Sequence, residues 1–277
     1  MTVEQAKASL LGLAVGDALG DQLYLRSNAI ARRLPTGPWR WTDDTEMACS
    51  VLSVLRTHGR VDPDALAESF VRHYDVDRGY GPGIDAMMVH VRRGANLREL
   101  SGEIFGGTGS WGNGGAMRVA PLGAWFAGDL DRAAEEAAVS ARVTHTHAEG
   151  VAGAVAVAVA AAGADLAETA RHTPPSQVRD GIEQALAMPK ADPETAASEL
   201  GTGGRVSAPD TVPLALWIAD RHPNDYEEAV WTAASVAEDV DTVCAIVGGI
   251  VAARVGEAGI PAAWRSACEP LPAWVHG

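Results

Sequence analysis

The sequence is dominated by short apolar segments with a helical period, separated by turns that contain glycine or proline. Apolar residues recur at three- and four-residue intervals, and few runs show the two-residue period of a strand. The apolar residues are mainly small, since 47% of the chain is apolar but only 5% is aromatic. Small side chains suit closely packed helices, so we predict an all-α fold.

The periodic segments predict twelve helices along the chain. Their ranges are 3–15, 45–58, 63–73, 84–93, 115–126, 130–144, 148–162, 175–187, 211–220, 226–237, 242–255 and 261–268. Glycine- and proline-rich loops are predicted at 33–39, 79–83, 102–115 and 201–209. We expect residues 1–277 to form a single domain, because the length suits one hydrophobic core and no linker is visible.

The longest apolar run covers residues 150–164 and is too short to cross a bilayer, which requires roughly 20 residues. Valine and alanine alternate at 155–160, as in a strand. The high alanine content and the helical pattern on both sides instead favour a buried helix. We therefore predict a core helix here and no membrane association.

A net charge of −14 disfavours nonspecific nucleic-acid binding, which requires clustered lysine and arginine. Cys49, Cys244 and Cys268 are widely spaced, and we expect buried core residues rather than disulfides or a zinc site. The first residues lack the pattern of a signal peptide. We expect a cytoplasmic monomer.

Two acidic clusters each precede a helical pattern. The first is WTDDTE at residues 41–46, and the second is EDVDT at residues 238–242. Taken alone, the first cluster is typical of helix capping, with Thr42 or Asp43 as the cap and Glu46 completing a capping box. The recurrence of such a cluster far along the chain favours a shared function.

If the fold brings both helix starts together, four carboxylates and two threonine hydroxyls form an all-oxygen set. Such donors suit Mg²⁺, Mn²⁺ or Ca²⁺ rather than zinc. Without a cation, the carboxylates would repel one another. A pair of divalent ions bridged by a shared aspartate is the simplest neutral arrangement.

Five motifs, taken in order, resemble those of the ADP-ribosylglycohydrolase family. They are GLAVGDALG at 12–20, TDDT at 42–45, GSWGNGGAMR at 109–118, TH at 144–145 and DVDT at 239–242. The matched order covers nearly the whole chain. DRGYGPG at 77–83 resembles a further family loop that lines the ribose or diphosphate, although a structural turn explains this glycine pattern equally well.

The resemblance implies a compact domain of orthogonal helices that hydrolyses the bond at the distal ribose of ADP-ribose. It implies two Mg²⁺ ions, or Mn²⁺, held by residues matching Thr42, Asp43, Asp44, Asp239, Asp241 and Thr242. Among these, Asp43, Asp44 and Asp241 are predicted to act in catalysis. It also implies substrate contacts from Gly109, Ser110, Trp111, Gly112, Asn113, Gly114, Met117, His145, Tyr80 and Gly81.

Some of these assignments have alternatives. Glycines in the central loop allow backbone N–H groups to approach a diphosphate, but alone they would indicate only a flexible turn. His145 and His147 are spaced unlike a helical metal site, and the resemblance places His145 against the ligand, while a packing role stays open. Tyr24 stands where many family members have a glutamate near the scissile bond, and Glu238 where they commonly have a glycine.

We therefore predict a metal-dependent hydrolase that releases ADP-ribose from a protein side chain or another acceptor, with ADP-ribose or an ADP-ribosylated molecule as its partner. Two alternatives stay open. The first is a protein that binds ADP-ribose without turnover, and the second is a hydrolase of another small ribosyl compound.

Overall fold

The computed structural model describes residues 2–23 and 25–275, and this part of the chain contains sixteen α-helices and no β-strand. The helices are α1 (Thr2–Asp21), α2 (Arg26–Ile30), α3 (Asp43–His58), α4 (Pro63–His73), α5 (Pro82–Val91), α6 (Leu97–Gly107), α7 (Ala120–Trp125), α8 (Leu130–Arg142), α9 (Ala148–Ala161), α10 (Leu166–His172), α11 (Gln177–Leu186), α12 (Pro193–Leu200), α13 (Ala208–Arg221), α14 (Tyr226–Val236), α15 (Val240–Val255) and α16 (Ala262–Ala267). Two isolated bridges, Trp39 to Cys268 and Gly112 to Ser207, join loops. The predicted all-α class is confirmed.

Helices α1, α9 and α15 form the centre of the fold. In α9 every described side chain after Ala148 is buried, and in α15 the same holds from Thr242 to Ala253. Helices that are apolar all round must be surrounded by other elements. The outer helices instead bury one face, as α11 does with Val178 and Ile182.

Helices α1 and α15 approach each other through glycines spaced four residues apart in α1. A Cβ built on Gly16 would lie 2.3 Å from the carbonyl oxygen of Cys244, and one on Gly20 would lie 2.6 Å from the Cα of Asp241. Only a residue without a side chain fits at these positions, so the two backbones pack in direct contact. This contact brings Asp17 of α1 close to the start of α15.

Aspartate caps begin many of the helices. Asp62 accepts hydrogen bonds from two backbone N–H groups at the start of α4, and Asp129, Asp165, Asp192 and Asp225 cap α8, α10, α12 and α14. Each carboxylate satisfies backbone donors that have no partner within the helix. Part of the net negative charge therefore has a structural role.

The predicted helices 63–73 and 148–162 are confirmed, and residues 155–160 are helical rather than a strand. Four helices, α2, α6, α10 and α12, were missed. The predicted loop at 102–115 is partly wrong, because α6 continues to Gly107 with a kink at Ile104, Phe105 and Gly106. The predicted helix at 115–126 is too long, since regular α-helix begins only at Ala120.

All three cysteines are buried and free, as predicted. Across residues 2–23 and 25–275, none of the helices combines the length and apolarity that a membrane crossing requires.

Candidate active site

The starts of α3, α5 and α15 and the glycine-rich loop meet around one cavity of about 610 Å³. This volume lies in the range of small-molecule sites. The cavity is lined by all the predicted site residues except Thr42 and Gly109, namely Asp43, Asp44, Tyr80, Gly81, Ser110, Trp111, Gly112, Asn113, Gly114, Met117, His145, Asp239, Asp241 and Thr242. The structure therefore brings both acidic clusters and the central loop together. The roles of these residues stay predictions.

The first acidic cluster is held in place by Asp17 from α1. The Asp17 carboxylate, which is fully buried, accepts hydrogen bonds from the backbone N–H of Thr42 and from both the N–H and the hydroxyl of Thr45. The hydroxyl of Thr42 in turn accepts from the N–H of Asp44 and caps α3. Asp17 therefore fixes the backbone that presents Asp43 and Asp44.

The predicted capping box in the first cluster is wrong. Thr42 is the cap, but Glu46 does not return to the N-terminus of α3. Its carboxylate accepts from the Tyr80 hydroxyl at 2.7 Å and from the N–H of Asp75 at 3.0 Å. Glu46 thus ties α3 to the loop that carries Tyr80, whose hydroxyl points at Glu46 while the residue lines the cavity.

The second acidic cluster is fixed by the central loop. The side-chain amide of Asn113 donates to Asp239 Oδ2 at 2.7 Å and to the hydroxyl of Thr211 at 3.0 Å. A Cβ built on Gly203 would lie 2.6 Å from the Cβ of Asp239, so the 201–209 loop also packs against this cluster. Asn113 was expected to contact substrate, and it also orients Asp239.

The gathered carboxylates raise one another's pKa values. Burial, and next the charge of Asp241, raise the pKa of Asp17 and of Asp239 to about 7. Burial and the charges of Asp17 and Asp241 raise the pKa values of Asp43 and Asp44 well above their usual range. Carboxylates that destabilise one another in this way create a site where a bound cation would be stabilising.

Two observations agree with the chemistry of a hard divalent cation at this site. The donors are carboxylate and hydroxyl oxygens, the ligands that Mg²⁺ and Mn²⁺ prefer. In addition, Asp44 Oδ2 is buried without a hydrogen-bond partner. Among residues 2–23 and 25–275, however, no three His, Cys, Asp or Glu side chains stand in an arrangement that could hold a metal ion. The fit therefore concerns donor chemistry and not a preformed coordination geometry.

The glycine-rich loop packs directly against His145. A Cβ built on Gly114 would lie 2.8 Å from the ring carbon Cε1 of His145, and one on Gly112 would lie 3.2 Å from Nε2. Glycine is required here for close approach, not for an unusual φ angle. The N–H of Gly112 donates to the hydroxyl of Ser110 at 3.1 Å.

Three exposed apolar side chains stand on the cavity rim. Phe105 is 65% exposed, Val206 59% and Trp111 51%. Phe105 and Val206 also have left-handed φ angles of 54° and 50°, which are strained for such residues. Strain that the surrounding structure maintains is typical of binding sites. These rings and the valine form an apolar entrance next to the polar loop.

Sequence reasoning missed Asp17, Phe105 and Arg118. Asp17 and Arg118 had a visible signal, since each is a charged residue within an apolar segment, and both are fully buried. Phe105 had none, because backbone strain cannot be identified from composition. Tyr24, at the position of the family glutamate, lies outside the described residues, and His147 caps α9 through its ring nitrogen Nδ1.

Residues 2–277 match the ADP-ribosylglycohydrolase family. The chain is 29% identical to the ADP-ribosylarginine hydrolase Tri1 of Pseudomonas putida, over 95% of this chain and 73% of that protein. It is 27% identical to the human ADP-ribosylhydrolase ARH3, over 83% of this chain and 74% of that protein. A solved structure described as an ADP-ribosylglycohydrolase-related protein complex aligns with a TM-score of 0.71 and 27% identity, over 99% of this chain and 95% of that one.

Proposed function

Because the chain belongs to the ADP-ribosylglycohydrolase family, we propose that it hydrolyses the bond between the distal ribose of ADP-ribose and an acceptor, with the help of divalent cations. The observation that carries this proposal is the shared cavity. It joins a carboxylate cluster, a loop of closely packed glycines and an apolar rim, which suit a ribose, a diphosphate and an adenine respectively.

The central loop provides the polar contacts for the diphosphate. Glycine residues allow a close approach of phosphate oxygens to the backbone N–H groups, although that of Gly112 already donates to Ser110. Ser110 and His145 add side-chain groups next to Gly112, since a Cβ built on this glycine would lie 3.2 Å from Ser110 Oγ and 3.2 Å from His145 Nε2. At the rim, the exposed rings of Phe105 and Trp111 can stack on a base, since aromatic rings stack on every base through its π-face.

The side chains that would hold Mg²⁺ or Mn²⁺ line the same cavity and lie beside the loop, namely Asp43, Asp44, Asp239, Asp241 and Thr242, together with Thr42 at the cap of α3. When bound, such ions orient the ribose hydroxyls and polarise a water molecule. The negative side chains themselves favour the positive charge that develops on the ribose ring as the glycosidic bond breaks. Asp17 and Asn113 keep the two acidic clusters in place during the reaction.

A second cavity of about 560 Å³ shares Asp241 with the first one and is also lined by Asp21 and Glu238. The lining carries three carboxylates against one cation, Arg26, so its net negative charge suits a cationic leaving group. Burial, and next the charge of Asp241, raise the pKa of Asp21, and the hydrogen bond from Gln22 and the charge of Arg40 offset this only in part. We therefore propose an arginine side chain as the preferred acceptor.

We expect the purified protein to release ADP-ribose from ADP-ribosylated arginine when Mg²⁺ or Mn²⁺ is present and not when it is removed by a chelator. Chromatography of the released nucleotide measures this directly. Serine-linked and nucleic-acid-linked substrates serve as comparisons, and we expect slower release from both. Absence of release from all three substrates in the presence of either cation would refute the hydrolase.

A protein that binds ADP-ribose without turnover is the second candidate, because Tyr24 stands at the position of the family glutamate. Calorimetry with ADP-ribose distinguishes it from the hydrolase. Binding without release of ADP-ribose from any substrate would support the binding protein, and turnover would exclude it.

Replacing Phe105 by alanine is expected to weaken ADP-ribose binding about tenfold, because stacking on a base contributes roughly 1–3 kcal/mol. Calorimetry with ADP-ribose measures the change. Ribose 5-phosphate lacks the base, so its affinity should not change. Leu186→Ala is the matched control, since Leu186 is an exposed apolar residue that does not line the cavity. Equal loss with both ligands would show that Phe105 does not contact the base.

A further inference from the structure

His145 is connected to a buried cation by one hydroxyl group. The oxygen of Thr144 lies 2.8 Å from His145 Nδ1 and accepts a hydrogen bond from Arg118 Nη1 at 2.9 Å. All three side chains are buried, and Arg118 and Thr144 are fully so. The hydrogen bonds among these three side chains therefore lie inside the protein, at the wall of the cavity that Thr144 and His145 line.

Arg118 is fixed by several contacts besides Thr144. Nη1 donates to the carbonyl oxygen of Gly114 at 3.0 Å, and Nη2 donates to that of Ser140 at 2.8 Å. Its guanidinium carbon also lies 4.7 Å from the centre of the Phe70 ring. A guanidinium only donates hydrogen bonds, so the Thr144 oxygen must act as an acceptor toward it.

This direction leaves the hydroxyl proton of Thr144 free to point at His145. If Nδ1 of His145 carried a proton, it would donate to the Thr144 oxygen, and the hydroxyl proton of Thr144 would need another acceptor. Within residues 2–23 and 25–275, the hydroxyl of Thr144 contacts only Arg118 Nη1 and His145 Nδ1. A buried hydroxyl without an acceptor is unfavourable. The number of donors and acceptors therefore selects the tautomer in which Nδ1 accepts and Nε2 carries the proton.

The Nε2 edge of the ring faces the glycine-rich loop. A Cβ built on Gly112 or Gly114 would lie 3.2 Å or 3.0 Å from Nε2, and His145 lines the cavity. Burial, and next the positive charge of Arg118, lower the pKa of His145 to about 3, so the ring is neutral at physiological pH. A neutral ring can donate to an anion only through the nitrogen that carries its single proton.

We propose that Thr144, held by Arg118, fixes His145 as the tautomer protonated on Nε2, and that this N–H donates to the diphosphate of the substrate. The second part rests on the proposed function, whereas the first part does not. Thr144 and Arg118 are positioning residues that act through His145. The other tautomer would present a nitrogen lone pair to the phosphate oxygens and repel them.

The tautomer is measured in the protein without ligand by ¹⁵N spectroscopy of the histidine rings, with His145→Ala identifying the signals. We expect one protonated nitrogen, Nε2, and one unprotonated nitrogen, Nδ1, and we expect Thr144→Val to change this pattern while Thr144→Ser preserves it. A wild-type spectrum with Nδ1 protonated would overturn the proposal. This result is independent of any activity, so it stands even if ADP-ribose is not the ligand.

Calorimetry tests the second part. Thr144→Val is expected to weaken ADP-ribose binding about tenfold, and Thr144→Ser to restore it. In the His145→Ala background the same substitution should have no further effect, because Thr144 acts through His145. The control is Thr169→Val, which removes another fully buried hydroxyl, one bonded to a helix carbonyl away from the cavity. An undiminished effect of Thr144→Val in the His145→Ala background would show a merely structural role.

Discussion

Replacing Asp44 by asparagine is expected to lower turnover at least about 100-fold while leaving the metal-free protein as stable as the wild type or more so. Asp44 is buried, its Oδ2 has no hydrogen-bond partner, and its neighbours Asp17 and Asp241 are also acidic. Removal of one negative charge relieves repulsion but takes away a metal ligand. If Asp44 had only a structural role, its replacement would lower the stability of the protein instead of lowering turnover alone.

Thermal unfolding with and without Mg²⁺ separates the two effects. We expect Mg²⁺ to raise the Tm of the wild type, since a ligand that binds only the folded state stabilises it, and to have a smaller effect on Asp44→Asn. Without metal, the Tm of the variant should be unchanged or higher by a few degrees, on the order of 3 °C. Asp220→Asn, which changes an exposed aspartate at the end of α13, should match the wild type in both measurements. A variant with full activity would exclude Asp44 as a ligand.

The pH dependence of the metal-free protein gives an independent test of the same repulsion. Burial and the charge of Asp241 raise the pKa values of Asp17 and Asp239 to about 7. A carboxyl whose pKa is higher in the folded state binds its proton more tightly there, so stability is greatest at low pH and falls as the pH rises. We expect the wild-type Tm to decrease between about pH 4 and pH 7, and that of Asp44→Asn to decrease less.

The helical class and the gathering of the two acidic clusters could be predicted from sequence because both depend on patterns along the chain. The helix at 63–73 has clear signals, since Asp62 and Pro63 begin it and an apolar face follows. Helix α6 also begins at a capping residue, Asn96, but its end carries no clear signal. Its last turns contain glycines, and its backbone leaves helical geometry at Ile104, so the segment is read as a loop. A distorted helix end of this kind depends on tertiary contacts more than on helix propensity.

The supporting contacts of the site could not be predicted because they join residues far apart in sequence. Glu46 satisfies the capping-box pattern, yet its carboxylate binds Tyr80 and Asp75, and Asp17 takes the N–H of Thr42 instead. The local sequence shows that an acidic side chain can cap a helix. It does not show which distant donor binds that carboxylate in the folded protein. The strain at Phe105 likewise arises only from the assembled fold.

Replacing Gly16 by alanine is expected to lower the stability of the protein by about 1–3 kcal/mol, and its Tm by roughly 3–10 °C. The added Cβ would lie 2.3 Å from the carbonyl oxygen of Cys244, which belongs to the backbone of α15 and cannot rotate away. The two helices must therefore separate. Thermal or denaturant unfolding measures the change, and an unchanged Tm would show that α1 and α15 do not pack as closely as described.

Gly102→Ala is the matched control, because Gly102 lies within α6 and a Cβ there meets nothing within 4 Å. This substitution should be neutral or stabilising by about 0.5–1 kcal/mol, the usual preference of a helix for alanine.

Activity should also differ between the Gly16→Ala and Gly102→Ala variants. Asp17 follows Gly16 directly and holds the first acidic cluster, while α15 carries Asp241, so separation of the helices also separates the two halves of the metal site. Gly16→Ala should therefore require a higher Mg²⁺ concentration for half-maximal activity, whereas Gly102→Ala should not.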